Sequence, residues 1–410
     1  MARTNWFTHA KLGMIVHWGI YSALERGEWV LNRERIPLKE YRAAAAQFTA
    51  ARFNADEWAD LAVAAGQKYL ILTAKHHDGF CLWDTRTTDF KSPKVGPNRD
   101  IVAELITAFH RRGLKIGFFF SLADWSHPAY PTPYATDWPQ TWRNDQDRAT
   151  VVAYAMAQIQ ELTHNYGPID LMWFDGAAPG MDAASWRAQE IIDLCRASNP
   201  DILVNNRLFL PGDFDALELH LHRPETQRPW ETDYPMNDSW AWNPSDTNYK
   251  PLHVIWQRLL QANGQGGNLL LNVGPRGDGS IPQHEIELLH SLGARIRRVN
   301  YHAEELGYGP EAGHLRWLQG AMHTYKGNSL YLHLWYRNTD EVAYGSIKNK
   351  VLRATMCDDG RELPFTQDAT GRVRIRTLSR TPRDHVGWCI RLDLDGPPEG
   401  FGVGHQDLNF

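Results

Sequence analysis

The sequence predicts a (β/α)8 barrel, an α/β fold, followed by a small antiparallel β-sandwich. Over about the first 300 residues, short apolar runs typical of buried parallel strands alternate with longer amphipathic stretches typical of helices. Most of these apolar runs end in polar side chains, at the place where barrel strands open into an active site. From residue 308 onward the helical period is lost, and short alternating strands are separated by Gly, Asp and Asn turns. The predicted domains are therefore 1–307, a barrel, and 308–410, a β-sandwich.

The predicted elements of the barrel follow one another in order along the chain. The first strand covers 12–19, and the first long helix, 54–66, begins at the N-cap residue Asn54 and ends at Gly66. The alternation continues with strand-like runs at 69–83, 114–125, 169–176, 201–208 and 268–275, and with helices at 98–113, 147–167, 184–197, 252–267 and 283–300. No GxGxxG or GxxxxGK motif follows a strand, which disfavours a nucleotide-binding doubly wound sheet.

Composition excludes several classes of protein. The 410 residues are 43% hydrophobic and 22% charged, which indicates a globular chain, and the net charge of −5 gives no basic surface for nucleic acid. Neither a secretory signal nor a membrane-spanning run is visible, so we expect a cytoplasmic protein. None of the four cysteines lies in a CxxC motif, and no zinc or redox site is expected. Seventeen tryptophans are an unusual number, and tryptophan often stacks on sugars, although most should pack in the core.

The run YLILTAKHHDGFCLW ends a buried strand with His76, His77 and Asp78. Three explanations are open. The three side chains could belong to a metal site, although neighbours on a strand point to opposite faces. The two histidines could instead be core or loop residues whose hydrogen bonds are satisfied within the protein. They could also bind a ligand rich in hydroxyl groups, with Gly79 allowing the turn.

Carboxylates supply the second chemical pattern. Asp175 ends the apolar run in WFDG, where it would face the barrel mouth as a nucleophile or a binding group, unless it caps a turn. Glu231 follows a tryptophan in the loop-like stretch RPWETD, a setting that can raise the pKa of a general acid. Arg207 could hold a carboxylate or a sugar hydroxyl. Two carboxylates on separate loops around one pocket are typical of glycoside hydrolysis, whereas the GxSxG elbow of serine hydrolases is absent.

In these motifs the chain resembles the α-L-fucosidases of glycoside hydrolase family 29. The resemblance covers most of residues 5–300. It rests on KLGMIVHWGIYS, GEW, KHHDGFCLWDT, FFSLADW, LMWFDG, VNNR, PWET, NDSWAW and GGNLLLNVGPRGDGSIP. Relatives often have a tyrosine where this chain has Phe119, which removes a polar contact near the nucleophile.

The resemblance implies a role for each site residue. Asp175 corresponds to the nucleophile and Glu231 to the acid/base, with Asp213 and Glu218 as competitors for the second role. The fucose-binding positions correspond to His17, Glu28, Trp29, His76, His77 and Arg207. Trp240 or Trp242 corresponds to the aromatic that encloses the apolar edge of the sugar.

The expected function is therefore that of a retaining exo-α-L-fucosidase, which removes terminal fucose from oligosaccharides or glycoconjugates by double displacement. Transfer of fucose to another sugar is possible, and the alternative is a catalytically weak carbohydrate-binding relative. The expected partner is a fucosylated glycan, without nucleic acid, membrane, metal or organic cofactor. We expect the loops at 126–146 and 209–240 to line the aglycone side. Linkage preference and homo-oligomer formation stay open.

Overall fold

The computed structural model describes residues 3–131, 142–176, 180–299, 301, 321–335, 340–345, 347–376 and 386–400. The chain divides into two compact units. The first comprises Met1–His220, Pro224–Lys250 and Leu269–His290, and the second comprises Leu221–Arg223, Pro251–Asn268 and Ser291–Phe410.

One sheet of eight strands organises the first 300 residues. Its strands are β1 (Leu12–Val16), β2 (Tyr69–Lys75), β3 (Lys115–Ser121), β4 (Leu171–Asp175), β5 (Leu203–Val204), β6 (Asp215–Glu218), β7 (Trp230–Pro235) and β8 (Asn268–Val273). They lie in the order β5-β4-β3-β2-β1-β8-β7-β6, with parallel pairing. A parallel bridge between Asn205 and Phe214 links the two ends of this order, so the sheet curls into a barrel. Every residue of β1, β2 and β8 is buried, as expected for parallel strands covered on both faces.

Helices alternate with these strands. They are α1 (Asn5–Ala10), α2 (Ile20–Leu24), α3 (Val30–Arg33), α4 (Leu38–Ala44), α5 (Ala55–Ala65), α6 (Ile101–Arg111), α7 (Asp145–His164), α8 (Ala188–Ser198), α9 (Leu252–Gly264) and α10 (Gln283–Arg298). The predicted cap of α5 is present, because the side chain of Asn54 accepts hydrogen bonds from the backbone N–H groups of Asp56 and Glu57. Gly66 ends that helix with φ +84°, which favours glycine.

The predicted strand at 201–208 is much shorter in the structure. Only Leu203 and Val204 form β5, because the next residue uses its side chain to bind the neighbouring strand. The amide of Asn205 both accepts from the backbone N–H of Phe174 and donates to its carbonyl, each at 3.0 Å. Residues Asn206–Leu208 then form a 3₁₀ turn.

Strands β6 and β7 were not predicted. The prediction of a loop around Glu231 is therefore wrong, because Glu231 lies on β7. Strands β6 and β7 carry polar residues into the barrel, so their sequences lack the apolar run that marks the other strands. Asp215 on β6 is buried in an ion pair with Arg228 at 2.5 Å. A buried carboxylate that is paired with a charged side chain gives no hydrophobic pattern in the sequence.

Two antiparallel sheets form much of the second unit. One has the order β12-β15-β10-β9 and the other β11-β14-β13. The strands are β9 (Ala321–Lys326), β10 (Ser329–Leu334), β11 (Val342–Tyr344), β12 (Val351–Met356), β13 (Phe365–Gln367), β14 (Val373–Ile375) and β15 (Trp388–Leu394). Side chains of both sheets share one apolar core, including Leu332, Ile390 and Ile375. The predicted barrel with an antiparallel β-sandwich is therefore confirmed, while the predicted boundary at 307/308 lies outside the described residues.

Across the described part of the chain, no helix is both long and apolar enough to cross a membrane.

Candidate active site

Polar side chains at the ends of the barrel strands meet at one rim, because the carboxyl ends of parallel strands lie on the same side of the sheet. His17 follows β1, and His76 and His77 follow β2. Asp175 is the last residue of β4, and Arg207 lies in the turn after β5. The three histidines are buried, whereas the side chain of Asp175 is 25% exposed. The rim therefore combines three desolvated imidazoles with one accessible carboxylate.

Arg207 fixes the carboxylate of Asp175, and the ring of His77 lies beside it. The Nη1 atom of Arg207 lies 3.3 Å from Oδ1, and the Nε2 atom of His77 lies 3.8 Å from Oδ2. The backbone of Asp175 is also fixed, because its carbonyl accepts a hydrogen bond from the N–H of Leu122 at 2.7 Å. A carboxylate held in place yet partly open to solvent is suited to attack on a bound carbon atom.

Hydrogen bonding fixes the tautomer of His77. The Oγ atom of Ser121 has one proton, which it donates to the carbonyl of Ala123 at 2.6 Å. Ser121 therefore accepts the 2.6 Å bond from Nδ1 of His77, which leaves a lone pair on Nε2. Burial lowers the pKa of His77, against the opposing charges of Asp175 and Glu28. The neutral ring and Asp175 thus both present acceptors to the pocket, and a sugar hydroxyl can donate to either.

His17 is fixed in the same way. The Nδ2 atom of Asn272 donates to the carbonyl of Trp240 at 2.6 Å, which leaves Oδ1 to accept from Nδ1 of His17 at 2.7 Å. Burial lowers the pKa of His17, although Glu28 opposes this. The neutral ring of His17 therefore also has a lone pair on Nε2.

His76 packs flat against Phe119, with ring centroids 5.5 Å apart and an interplanar angle of 9°. Its Nδ1 atom is buried and has no hydrogen-bond partner among the described residues. Burial lowers the pKa of His76 well below its ordinary value, and His77 lowers it further. A neutral, buried and unpaired nitrogen beside the other two imidazoles is expected in a site that binds hydroxyl groups.

The turn that carries His76 and His77 is supported by buried polar contacts. Asp78 accepts a hydrogen bond from the hydroxyl of Tyr41 at 2.7 Å, and burial raises the pKa of Asp78 to about 7. Gly79 has φ +79°, and a Cβ atom there would lie 2.2 Å from Oδ1 of Asp124. The Nζ atom of Lys75 lies 3.4 Å from Oδ2 of the same aspartate, and both side chains are buried. Asp78 is therefore part of the support of the turn.

Aromatic rings line two parts of the rim. Trp29 makes edge contacts with Trp125 and His77, at centroid distances of 4.8 and 5.1 Å. Trp240 lies 5.3 Å from the ring of His17. Of the two predicted tryptophans at 240 and 242, Trp240 thus contacts a rim histidine.

Trp242 and Glu28 have other partners. The indole of Trp242 donates to Glu25 at 3.1 Å, and the guanidinium of Arg276 lies over its ring at 4.4 Å. Glu28 accepts a hydrogen bond from the backbone N–H of Ala241 at 3.3 Å. The segment between the two tryptophans is thereby attached to the residue next to Trp29.

Glu231 has no side open to a substrate. It is 1% exposed, and its two oxygens accept hydrogen bonds from the hydroxyl of Tyr69 at 2.6 Å and the indole of Trp173 at 2.9 Å. Burial raises the pKa of Glu231 to about 7. The elevated pKa matches the sequence prediction, but a carboxyl group enclosed by two donors inside the barrel cannot reach a glycosidic oxygen. The geometry disfavours the predicted acid/base role.

The two competing carboxylates differ in their surroundings. Asp213 is held by Arg196 at 3.1 Å, by Arg3 at 3.2 Å and by the backbone N–H of Val204 at 2.9 Å. These donors give it a structural role in joining β5 to β6.

Glu218 is the last residue of β6 and is exposed. Partial burial of its carboxyl group raises the pKa of Glu218. The negative charges of Asp175 and Glu28 raise this pKa further, and Arg207 lowers it. Glu218 is thus an accessible carboxyl group within electrostatic reach of Asp175.

Sequence reasoning did not assign Ser121, Asn272 or Asp233 to the site. Ser121 and Asn272 fix two histidines through hydrogen bonds to their Nδ1 atoms. Asp233 on β7 is buried, and burial raises the pKa of Asp233 well above its ordinary value, with Glu218 and Glu231 adding to the effect. The place of Asp233 in the site could have been predicted only if β7 had been recognised as a strand.

Part of the predicted aglycone loop at 126–146 cannot be placed, because 132–141 lie outside the described residues. Within the described ranges, no group of three or more His, Cys, Asp or Glu side chains is arranged to hold a metal ion.

Comparison with known proteins decides the family. The alpha-L-fucosidase family model matches residues 1–300, well over half of the chain. The chain belongs to the alpha-L-fucosidase family. The predicted enzyme class, a glycoside hydrolase, is confirmed.

Similar proteins align with this alpha-L-fucosidase family member over most of its length. The tissue alpha-L-fucosidase of Bos taurus is 32% identical over 426 residues, which cover 94% of this chain and 88% of that protein. Among three similar curated relatives, the matched segments span 64% to 88% of the relative. Alpha-L-fucosidase isoenzyme 1 from Paenibacillus thiaminolyticus has a TM-score of 0.87 at 32% identity, covering 96% of this chain and 99% of that one.

A third likeness concerns the fold. The alpha-L-fucosidase of Bacteroides thetaiotaomicron, solved as a trapped covalent intermediate with 2-fluoro-fucosyl fluoride, has a TM-score of 0.84 at 23% identity. It covers 96% of each chain.

Proposed function

We propose that this chain is a retaining exo-α-L-fucosidase in which Asp175 is the nucleophile and Glu218 is the acid/base. One observation carries the proposal: the accessible carboxylate of Asp175 is held by Arg207 beside His77, and the exposed carboxyl group of Glu218 lies in its electrostatic field. Retaining glycosidases need one carboxylate that attacks and one carboxyl group that first donates and then accepts a proton. Covalent trapping of the Bacteroides thetaiotaomicron relative is consistent with this chemistry.

The reaction has two steps. In the first, a carboxylate oxygen of Asp175 forms a bond to the anomeric carbon, the glycosidic bond breaks, and Glu218 gives its proton to the leaving oxygen. In the second, Glu218 takes a proton from water as the water oxygen attacks the same carbon, which releases fucose and restores the Asp175 carboxylate. A sugar hydroxyl can replace the water, so the proposal includes transfucosylation.

Fucose recognition follows from the tautomers at the rim. Two acceptors face the sugar site, the Nε2 atoms of His17 and His77. The Nδ1 atom of His76 has no hydrogen-bond partner among the described residues. These three nitrogens suit the hydroxyl groups of an uncharged sugar. Trp240 beside His17 offers an apolar ring to the sugar edge. We propose a terminal fucose of a glycan as the group bound there. A cytoplasmic location and independence of a cofactor stay predictions.

Azide rescue tests the two carboxylates. With an activated aryl fucoside, Asp175→Gly should lose turnover, and azide should attack from the vacated side to give β-fucosyl azide. Glu218→Gly should still form the fucosyl-enzyme, and azide should give α-fucosyl azide because it needs no base. General acid help is worth about 10²–10⁴-fold, so Glu218→Gln should lose that much with an unactivated disaccharide.

Glu231→Gln is the matched control and should keep parent rates with both substrates. A parent protein that binds fucose without cleaving any fucoside would favour the carbohydrate-binding alternative. Rescue of a Glu231 variant in place of Glu218→Gly would move the acid/base to Glu231 and leave the nucleophile assignment intact.

A further inference from the structure

Two bulky apolar side chains are exposed just beyond the ends of neighbouring barrel strands. Phe209, directly after the turn that follows β5, is 45% exposed, and Leu219, directly after β6, is 49% exposed. Within the described residues, the other large hydrophobic side chains this exposed are Val63 on α5 and Leu352 on β12. An isolated exposed hydrophobic residue needs no explanation, but two on adjacent strand ends of one rim do.

The backbone at both positions is unfavourable for these residues. Phe209 has φ +59° and Leu219 has φ +57°, in the left-handed region where glycine or asparagine is the ordinary choice. Two hydrogen bonds hold Leu219 in place: its N–H donates to the carbonyl of Asp233 at 3.3 Å, and its carbonyl accepts from the hydroxyl of Tyr234 at 2.5 Å. Glycine or asparagine would remove both the strain and the exposed apolar surface. Strain of this kind is concentrated at ligand-binding sites.

Both residues adjoin the groups that surround the reacting carboxylate. Phe209 is two residues after Arg207, which pairs with Asp175, and Leu219 directly follows Glu218. The two segments are linked, because the side chain of Asn206 accepts a hydrogen bond from the backbone N–H of β6 at 3.1 Å. In an exo-acting glycosidase the leaving group extends out of the pocket on the side of the general acid. Leu219 directly follows the proposed general acid Glu218, and the hydrogen bond of Asn206 joins the segment that carries Phe209 to the same strand.

We propose that Phe209 and Leu219 form an apolar platform that binds the aglycone, the sugar to which the fucose is attached. The inference rests on the fucosidase function proposed above. A pyranose ring has an apolar face of C–H groups that packs on aromatic and aliphatic side chains, and burial of such surface stabilises the bound state. The platform would therefore act on substrates with a large aglycone and have little effect on the binding of fucose itself.

Two asparagine variants test this. Phe209→Asn and Leu219→Asn remove the apolar surface, and because asparagine adopts left-handed conformations readily, both should fold. Leu352→Asn, which is on β12 and is 57% exposed, is the matched control. Each variant is compared with the parent by thermal melting and by kcat/KM for α-L-fucosyl fluoride, whose leaving group is one atom, and for a fucosyl disaccharide.

We expect kcat/KM for the disaccharide to fall about fivefold to tenfold in each platform variant and less than twofold for the fluoride. The control should leave both values unchanged. The proposal would be overturned if the ratio of kcat/KM for the two substrates were unchanged in both platform variants, whether neither value falls or both fall equally. A parent that cleaves neither substrate would instead overturn the fucosidase function itself, so the two failures are distinguishable.

Discussion

Glu231→Gln should stabilise the protein at alkaline pH and leave turnover unchanged. In the parent, the two oxygens of Glu231 accept from the hydroxyl of Tyr69 and the indole of Trp173. A glutamine keeps the indole bond with its oxygen and donates its N–H to the phenol, because a hydroxyl group can accept as well as donate. The variant therefore keeps both contacts, reverses the direction of the bond to the phenol and removes the charge.

The magnitude follows from the shift in pKa. Burial raises the pKa of Glu231 from its ordinary value of 4.5 to about 7. Because the folded-state pKa is the higher one, the stability contribution is fully present below pH 4.5 and is lost as the pH rises through about 7. At 1.36 kcal/mol per pKa unit, the loss between about pH 5 and about pH 8 is roughly 2–3 kcal/mol. Glutamine does not titrate, so the difference in stability between variant and parent should grow by that amount.

Urea unfolding followed by tryptophan fluorescence, measured at intervals between about pH 5 and 8, gives this difference directly. Glu231→Ala is a useful companion, because it leaves two buried donors without an acceptor and should destabilise the protein by about 2–5 kcal/mol at about pH 5. The reasoning would be refuted if the stability difference for Glu231→Gln did not change with pH. It would also be refuted if the folded Glu231→Gln variant lost more than about a hundredfold in kcat, as expected of a general acid.

Three further outcomes are expected. Ser121→Ala removes the acceptor that fixes the tautomer of His77, so KM for fucosides should rise about fivefold with kcat little changed, and Ser121→Thr should restore it; an unchanged KM for the alanine variant would contradict this. Lys75→Met leaves Asp124 as a buried charge without its counterion and should lower the free energy of unfolding by about 3–5 kcal/mol. The control Lys115→Met breaks an exposed ion pair and should cost less than about 1 kcal/mol. Equal losses of the two variants in urea unfolding would contradict this prediction. Dialysis against a chelator should leave activity unchanged, and a loss that a divalent ion restores would show that a metal is needed.

Much of the fold could be predicted because its strands are buried on both faces. Parallel strands covered by helices give continuous apolar runs, so β1, β2, β3, β4 and β8 stand out in the sequence. Asn54 and Gly66 similarly mark the ends of α5, because capping is a local property of the backbone. Strands β6 and β7 could not be found in this way, since their buried acids interrupt the apolar pattern.

The sequence by itself determined the fold class, the family resemblance and the group of residues at the strand ends, because all three depend on local patterns and on the rule that parallel strands end at one rim. Only the tertiary structure decided which carboxylate is enclosed and which is open. Glu231 meets Tyr69, which is 162 residues away, and both of its oxygens are taken, whereas Glu218 ends its strand in solvent. Similarly, His17 is fixed by Asn272, 255 residues away. Burial and hydrogen-bond partners at such separations arise from closure of the barrel, which no local pattern encodes.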